Sequence, residues 1–489
     1  MKRLNMAQAE LTKSAKPQYT IMLFFLLSTA LIYGFFYHIS SSEFWPISLS
    51  QAWFYSPRFD WSLLQKPLFS LFLSVFHLLP MQDSAHILLL KFIFSFLGIS
   101  SLWLFIAALL KTHHDIYKTR FSQLHVSIIT ILIVTLSPTM LNNFFRIRSD
   151  QFTFFLFALY FYFCSMFATK KEIFTAFLIP VVSIKSLIFL PLIYLYLNID
   201  NQRTLVNYLK KHIFIVALSA ATILLWVIAI NFQAFNYFIE TFEEFNFFTS
   251  YINNVHLKKF LVSEFFLITS SLVIAIFNLI DANTSQMKNY SLGSLFSIFL
   301  ILIIPQSYPF FISSLLPFVY TPIIIAIYNI YSKNYTKFTN LKFVSIALAQ
   351  IAFCYTIRIY SFHEVIYYSN LQQIKFIHYV SYWLKKNNLT YLDGMGTLPK
   401  QDMLNCFISP NDHISNNSCL EKINNSSADV IILTGRLAFL NNLIFASIEK
   451  NYTQLQPNVW IQKKYSYLLT SAELTPVKDL VPIFMFGFD

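Results

Sequence analysis

Between Ser84 and Leu110 the chain carries a single charged residue, Lys91, within a long run of apolar and small side chains. About 20 consecutive residues of this kind are enough for a helix to cross a bilayer. Similar runs recur along much of the chain, in which 56% of residues are hydrophobic and 12% are charged. Soluble domains carry roughly twice that share of charge. The pattern predicts a polytopic α-helical membrane protein.

The net charge of +12 does not indicate a nucleic-acid partner. Lys and Arg gather at the ends of the apolar runs, where they report which side of the membrane a loop occupies. Followed from a basic N-terminus inside, the runs predict about eleven spans over residues 1–360 and a C-terminus outside. Residues 39–83 then form an extracytoplasmic loop, in which the segment Leu68–Leu79 is too short to cross and either lies at the outer interface or re-enters the membrane. Ile173–Leu197 contains Lys185 and fits either two short spans or one span with a buried lysine.

Residues 361–489 are more polar and predict a small, soluble extracytoplasmic α/β domain. Cys406 and Cys419 fall there, and an oxidising location would allow a disulfide between them. The predicted elements are two helices, at Gln372–Lys386 and Ala438–Lys450, and three strands, at Thr390–Asp393, Asp429–Leu433 and Val459–Gln462.

The loop between the first two spans holds the first candidate site residues. Glu43 could act as general base toward an acceptor hydroxyl, although an isolated loop carboxylate is often simply solvated. Asp60 competes for that role, or pairs with Arg58. Lys66 could bind a phosphate oxygen, or snorkel at the membrane boundary.

A second outward cluster contains Arg146, Arg148 and Asp150. Arginines bind phosphate with two hydrogen bonds, and Asp150 could orient one of them or hold a divalent metal ion. A local Arg148–Asp150 pair is the simpler alternative. Lys185 is the strongest anomaly, because an ionisable group at membrane depth usually serves function.

Four further residues have weaker claims. Lys91 and Glu264 lie early in apolar runs and could snorkel or pair, whereas His256 and Tyr308 could hydrogen-bond a substrate or be structural. Neither a nucleotide-binding loop nor a zinc-binding motif is present in the sequence. No cofactor is therefore expected, apart from the divalent metal that Asp150 could hold.

The order of these motifs resembles the GT-C integral-membrane glycosyltransferases, in the lipid-carrier-dependent branch that includes protein O-mannosyltransferases and aminoarabinose transferases. Four departures stand out: Glu43 replaces the usual Asp, Gln65 replaces the common Glu, Leu68 replaces a second Pro, and Ser186 replaces a Gly. The matching segments are Glu43, Phe59-Asp60-Trp61, Lys66-Pro67-Leu68, Leu90-Lys91, Arg146-Ile147-Arg148-Ser149-Asp150, Ser183-Ile184-Lys185 and Tyr308 to Pro317.

The resemblance implies inverting transfer of a sugar from a polyprenyl-phosphate donor to a lipid, glycan or protein acceptor. The reaction would occur on the extracytoplasmic side of a bacterial inner membrane. Glu43 would be the base, Lys66 and Arg148 would bind the phosphate, and Asp60, Arg146, Asp150 and Lys185 would support them. The alternatives are a transporter or flippase of lipid-linked saccharides, which predicts internal repeats, and a polysaccharide polymerase.

Overall fold

The computed structural model describes part of the chain, and its contacts divide the protein into two compact units. Unit 1 comprises Met1–Leu31, Phe94–Phe145 and Ser149–Ser361, and unit 2 comprises Ile32–Ile93, Arg146–Arg148 and Phe362–Asp489. The described residues are 27, 47, 67–117, 123–137, 139–140, 146–166, 169–182, 192, 196, 206, 210, 213–215, 217–222, 225, 260–281, 285–303, 309–334, 370–394, 396–398, 413–434, 437, 442–456 and 459–470.

Helices dominate the described part of the chain before residue 335. They are α1 (Pro67–His77), α2 (Asp83–Tyr117), α3 (Gln123–Leu136), α4 (Ser149–Ser165), α5 (Thr169–Val182), α6 (Phe265–Asp281), α7 (Ser285–Ile303), α8 (Pro309–Val319) and α9 (Thr321–Asn334). Within the described residues only one helix, α2, is long and apolar enough to cross a membrane, over Asp83–His113. The expectation of about eleven spans is therefore not supported.

Proline explains part of this difference, because several apolar runs form shorter helices than their length predicts. The helix α3 stops at Leu136, two residues before Pro138 in the sequence, and the run from Phe310 to Tyr331 divides into α8 and α9 just before Pro322. Proline disfavours helical geometry in the residue before it and removes a backbone donor. By contrast, α2 contains no proline along its 35 residues.

The junction between α8 and α9 is held by side chains from other helices. Because Pro322 has no N–H, the carbonyl of Phe318 four residues earlier loses its helical donor. The hydroxyl of Tyr196 donates to that carbonyl at 3.1 Å. The next carbonyl, that of Val319, accepts hydrogen bonds from Ser294 at 2.7 Å and from Ser271. Small hydroxyl side chains satisfy broken helices in this way where water is absent.

An aromatic cluster forms the core of unit 1. Phe105 lies 5.0 Å from Phe318 and 5.6 Å from Phe161, measured between ring centroids. Tyr196 packs against the same group, with its ring centroid 5.4 Å from that of Phe318. Gly293 of α7 lies against Tyr196, where an added Cβ would come within 2.6 Å of the ring. The glycine is therefore required by packing.

Unit 2 contains α1, the start of α2, and a four-stranded α/β domain. Its helices are α10 (Asn370–Asn387), α11 (His413–Asn424) and α12 (Asn442–Asn451), followed by a 3₁₀ helix at Lys463–Thr470. The strands are β1 (Tyr391–Leu392), β2 (Val430–Ile432), β3 (Tyr452–Gln456) and β4 (Val459–Gln462), in the order β1-β2-β4-β3. β1 and β2 are parallel, and the other two pairings are antiparallel.

The sheet and helices of this domain enclose an apolar core. Leu392, Ile431 and Ile448 are all fully buried in it, and Cys419 contributes from α11. The predicted helix at Gln372–Lys386 and the predicted strands are present, and β4 has the predicted bounds. The helix predicted at Ala438–Lys450 is assigned over Asn442–Asn451. Two elements, α11 and β3, were not predicted.

Candidate functional site

Four of the predicted site residues lie among the described residues: Lys91, Arg146, Arg148 and Asp150. The other predicted site residues fall outside the described part of the chain; they are Glu43, Arg58, Asp60, Lys66, Lys185, His256 and Tyr308. Ile47 is the described residue from the polar part of the predicted catalytic loop, and it is fully buried in unit 2.

Three basic residues, here called the basic group, belong to unit 2. Lys91 lies in the third turn of α2 and is fully buried. Arg146 is 9% exposed and Arg148 is half-buried, in the short segment before α4. This segment belongs to unit 2, although the α4 helix that it introduces belongs to unit 1. Three cations from two distant stretches of sequence therefore belong to one compact unit. Burying a cation costs free energy unless an anion or a hydrogen-bond acceptor balances its charge.

Asp150 lies in the first turn of α4, in unit 1, and is half-buried. A carboxylate at a helix N-terminus is stabilised by the exposed backbone N–H groups there. This position gives Asp150 a structural role that needs no metal. Across the described ranges, no group of three or more His, Cys, Asp or Glu residues could hold a metal ion.

A pair of histidines joins the end of α1 to the start of α2. The rings of His77 and His86 meet edge to face, with centroids 4.6 Å apart. Nε2 of His77 lies 2.9 Å from the carbonyl oxygen of Ile47. This hydrogen bond requires the proton of His77 to reside on Nε2, and it anchors one residue of the predicted catalytic loop to α1.

Asp83, the first residue of α2, connects this region to α10. Its side chain is 1% exposed, and the hydroxyl of Ser381 donates a hydrogen bond to its Oδ2 atom. The helix N-terminus favours a carboxylate at this position. Sequence reasoning gave no role to His77, Asp83 or His86. Their positions were still informative, because all three are polar residues close to the ends of apolar runs.

A further buried carboxylate belongs to Glu264, in unit 1, and it is 1% exposed. Oε1 accepts hydrogen bonds from the Ser137 hydroxyl at 2.9 Å and the Thr139 amide at 2.6 Å. Oε2 accepts a 2.6 Å hydrogen bond from the hydroxyl of Tyr320. Of the two expectations for Glu264, pairing is therefore confirmed and snorkelling is wrong. Its role is to connect three separate segments of unit 1.

The basic group has the chemistry required to bind phosphate. Arginine offers paired N–H donors that match phosphate oxygens, and a buried ammonium adds a fixed positive charge. Comparison with known proteins does not extend this assignment, because no protein-family model and no curated protein sequence matches the chain.

Proposed function

We propose that the protein is an integral-membrane glycosyltransferase with a GT-C-like fold, acting on a polyprenyl-phosphate sugar at the extracytoplasmic side of the membrane. The observation that carries this proposal is the basic group. Lys91, Arg146 and Arg148 belong to the same compact unit as Ile47, which comes from the loop that contains Glu43 in the sequence. Residues of the kind that bind phosphate therefore belong to the same unit as one residue of the segment expected to supply the base.

The surface of α6 supports a membrane location. Ser271 and Ala275 face the protein interior and are fully buried, whereas Phe277 is 64% exposed and Ile280 is 80% exposed. Water-soluble proteins bury large apolar side chains and expose small polar ones. Lipid reverses this preference, because apolar side chains are as stable in lipid as in a core, while small residues allow helices to pack closely.

The same inverted distribution continues on α7. Ser291, Ser294 and Ser297 are fully buried on this helix, whereas Phe299 is 54% exposed. In addition, the helical hydrogen bonds of α6 extend backward through Glu264, whose amide donates to the Phe260 carbonyl at 2.9 Å. The hydrogen-bonded run from Phe260 to Asp281 is thus longer than α6 itself, although among the described helices α2 alone has the length and hydropathy of a span.

The disulfide of Cys419 supports the proposed orientation. Disulfides persist in oxidising compartments and are rare in the cytosol. The domain that contains Cys419 therefore fits an extracytoplasmic location. An extracytoplasmic location would put α10 to α12 and the sheet on the side where the basic residues Arg146 and Arg148 are predicted to lie.

In the proposed reaction, Glu43 accepts the proton of the acceptor hydroxyl as the oxygen attacks the anomeric carbon. The bond between that carbon and the phosphate oxygen breaks, and the phosphate leaves with the bonding electrons. Lys66 and Arg148 stabilise the negative charge that develops on the leaving phosphate. Arg146, Lys91 and Lys185 add positive potential, while Asp60 and Asp150 orient the site. Attack opposite the leaving group inverts the anomeric configuration.

The test uses purified protein in lipid with a radiolabelled polyprenyl-phosphate sugar and an extract of envelope lipids and glycans as acceptors. Glu43→Gln should lower turnover at least about 100-fold without changing thermal stability, because the amide cannot accept the proton. Glu449→Gln, at an exposed position on α12, is the matched control and should retain full activity. Near-wild-type turnover by Glu43→Gln would exclude that residue as base. Transport of the labelled donor across the bilayer without transfer would instead favour a flippase, and products of increasing glycan length a polymerase.

A further inference from the structure

The outer face of α10 combines basic and aromatic side chains. Tyr379 is 36% exposed and Tyr382 is 56% exposed. Lys375, His378, Lys385 and Lys386 are also exposed. Residues 375, 378, 382 and 385 follow one another at spacings of three, four and three, which keeps them on one side of the helix. The helix contains no acidic residue. Its opposite side is apolar and packs inward through fully buried residues such as Leu384.

A hydrogen bond connects α10 to the first residue of α2. The hydroxyl of Ser381, on the inner side of α10, donates a hydrogen bond to Asp83. Asp83 is the first residue of α2, the helix whose length and hydropathy fit a membrane span. A helix attached at the end of a span lies at the level where hydrocarbon gives way to lipid headgroups.

Only part of the α10 surface is explained by helix stability. Lys385 and Lys386 lie in the last turn, where positive charge complements the helix dipole. Lys375 lies in the second turn, too far from the C-terminus for its charge to complement the helix dipole. The two exposed tyrosines are uncharged, so the dipole does not explain them either. Tyrosine is enriched at membrane interfaces, and lysine is attracted to anionic lipid headgroups.

We infer that the outer face of α10 docks on an anionic lipid surface, with Tyr379 and Tyr382 at the headgroup boundary and the three lysines against lipid phosphates. The inference rests on the membrane location proposed above but not on the glycosyltransferase activity. An anionic glycan could offer similar charges. Lipid is favoured because the Ser381–Asp83 hydrogen bond connects the helix to the first residue of the candidate span.

The experiment places an environment-sensitive fluorophore at the centre of this face in the full-length protein. Tyr382→Cys is labelled in a Cys354→Ser background, in which Cys164 is buried and Cys419 is already disulfide-bonded. Glu449→Cys, exposed on α12, is the matched control position. Both proteins are reconstituted into phosphatidylcholine vesicles containing about 30% phosphatidylglycerol, with or without headgroup-nitroxide lipid. Flotation of the vesicles first shows that the chain is incorporated.

Nitroxide lipid should reduce fluorescence at position 382 at least about twofold and leave position 449 unchanged. Replacing Lys375, Lys385 and Lys386 together by Glu should remove most of this quenching. In incorporated protein, equal quenching at the two positions, or no quenching at 382, overturns the inference while leaving the proposed membrane location intact. A fluorescence change on adding a soluble anionic oligosaccharide, without quenching by the lipid, would assign the face to a glycan instead. Failure of the chain to float with vesicles contradicts the membrane location itself.

Discussion

The hydroxyl of Tyr320 donates a 2.6 Å hydrogen bond to Oε2 of Glu264, although the two residues are 56 positions apart in the sequence. Ser137 and Thr139 donate to the other carboxylate oxygen at 2.9 and 2.6 Å. A single buried side chain thus connects the end of α3, the beginning of α6 and the junction between α8 and α9.

Glu264→Ala should therefore destabilise unit 1. The substitution leaves three buried donors without an acceptor, and one orphaned buried group already costs roughly 1–3 kcal/mol. Glu264→Gln is the matched control, because its amide oxygen still accepts from Ser137 and Thr139 and its NH₂ group can donate to Tyr320. Thermal unfolding of the detergent-solubilised protein should show a large loss for Ala and a small one for Gln. Equal midpoints for Ala and wild type would contradict the structural role of Glu264.

The contacts of Glu264 also show what the sequence cannot provide. That an ionisable residue early in an apolar run needs a partner follows from elementary electrostatics. Which partners it finds does not, because Ser137 and Thr139 are 127 and 125 positions away. The breaks at Pro138 and Pro322 could have been predicted, since proline ends helices predictably. The apolar runs are longer than the helices that form within them, because proline ends a helix inside an apolar run. The length of a run therefore overestimates the length of its helix.

The C-terminal domain shows the same limit for secondary structure. The strand β4 was predictable because its sequence, VWIQ, is rich in the β-branched and aromatic residues that favour strands. The helix α11, with the sequence HISNNSCLEKIN, was missed because Asn and Ser are weak helix formers. The helix is stabilised instead by burial of Cys419 and Ile423 in the domain core. The strand β3 was missed because YTQLQ is largely polar and owes its conformation to pairing with β4.

Packing at Gly293 provides a second test of unit 1. Gly293→Ala places a Cβ within 2.6 Å of the Tyr196 ring, closer than nonbonded carbon atoms approach. Because Tyr196 is fully buried and hydrogen-bonded to Phe318, its ring has little freedom to move. Such overpacking usually costs about 1–3 kcal/mol. The thermal midpoint should fall clearly for this variant, whereas Leu292→Ala, at an exposed position on the same helix, should unfold like wild type. An unchanged midpoint for Gly293→Ala would contradict the close approach.

The disulfide of Cys419 gives a third prediction. Its predicted partner, Cys406, lies outside the described residues, and Cys164 is buried and forms no disulfide. Peptide mapping without reduction should recover Cys406 and Cys419 in one cross-linked species. A loop of this length should stabilise the domain by about 3 kcal/mol, so reduction should lower its unfolding temperature. Cys164→Ser should not alter the effect of the reductant. Recovery of Cys406 as a free thiol would disprove the predicted pairing.

Alkaline pH should weaken the C-terminal domain through Tyr452. Burial raises the pKa of Tyr452 to about 12, and the charge of Asp429 adds to the increase. An unfolded tyrosine ionises near pH 10, so the folded state retains a proton that the unfolded state loses above about pH 10. The stabilisation is complete below that pH and is lost as the pH rises through about 12.

Unfolding followed by near-ultraviolet circular dichroism should show this decline between about pH 10 and 12. Tyr452→Phe removes the ionisable hydroxyl, and with it the 2.8 Å hydrogen bond to the Ala428 carbonyl. The variant should start from a lower stability and lose less of it over the same pH interval. Parallel pH profiles for the variant and wild type would show that Tyr452 is not responsible.

Lys91 gives the prediction most closely tied to function. The residue is fully buried in α2 and belongs to the same compact unit as Arg146 and Arg148. If its ammonium contributes to the donor phosphate site, Lys91→Met should lower kcat/KM for the polyprenyl-phosphate sugar by about tenfold or more, since hydrogen bonds to charged groups contribute roughly 1.5–3 kcal/mol. Removing the ammonium also leaves the partner of Lys91 in the fold unpaired, so the thermal midpoint is measured beside kcat/KM to separate a loss of stability from a loss of binding. Lys171→Met, at an exposed position on α5, controls for the loss of one positive charge and should leave kcat/KM unchanged. A folded Lys91→Met variant with wild-type kcat/KM would show that the buried lysine stabilises the fold without contributing to donor binding.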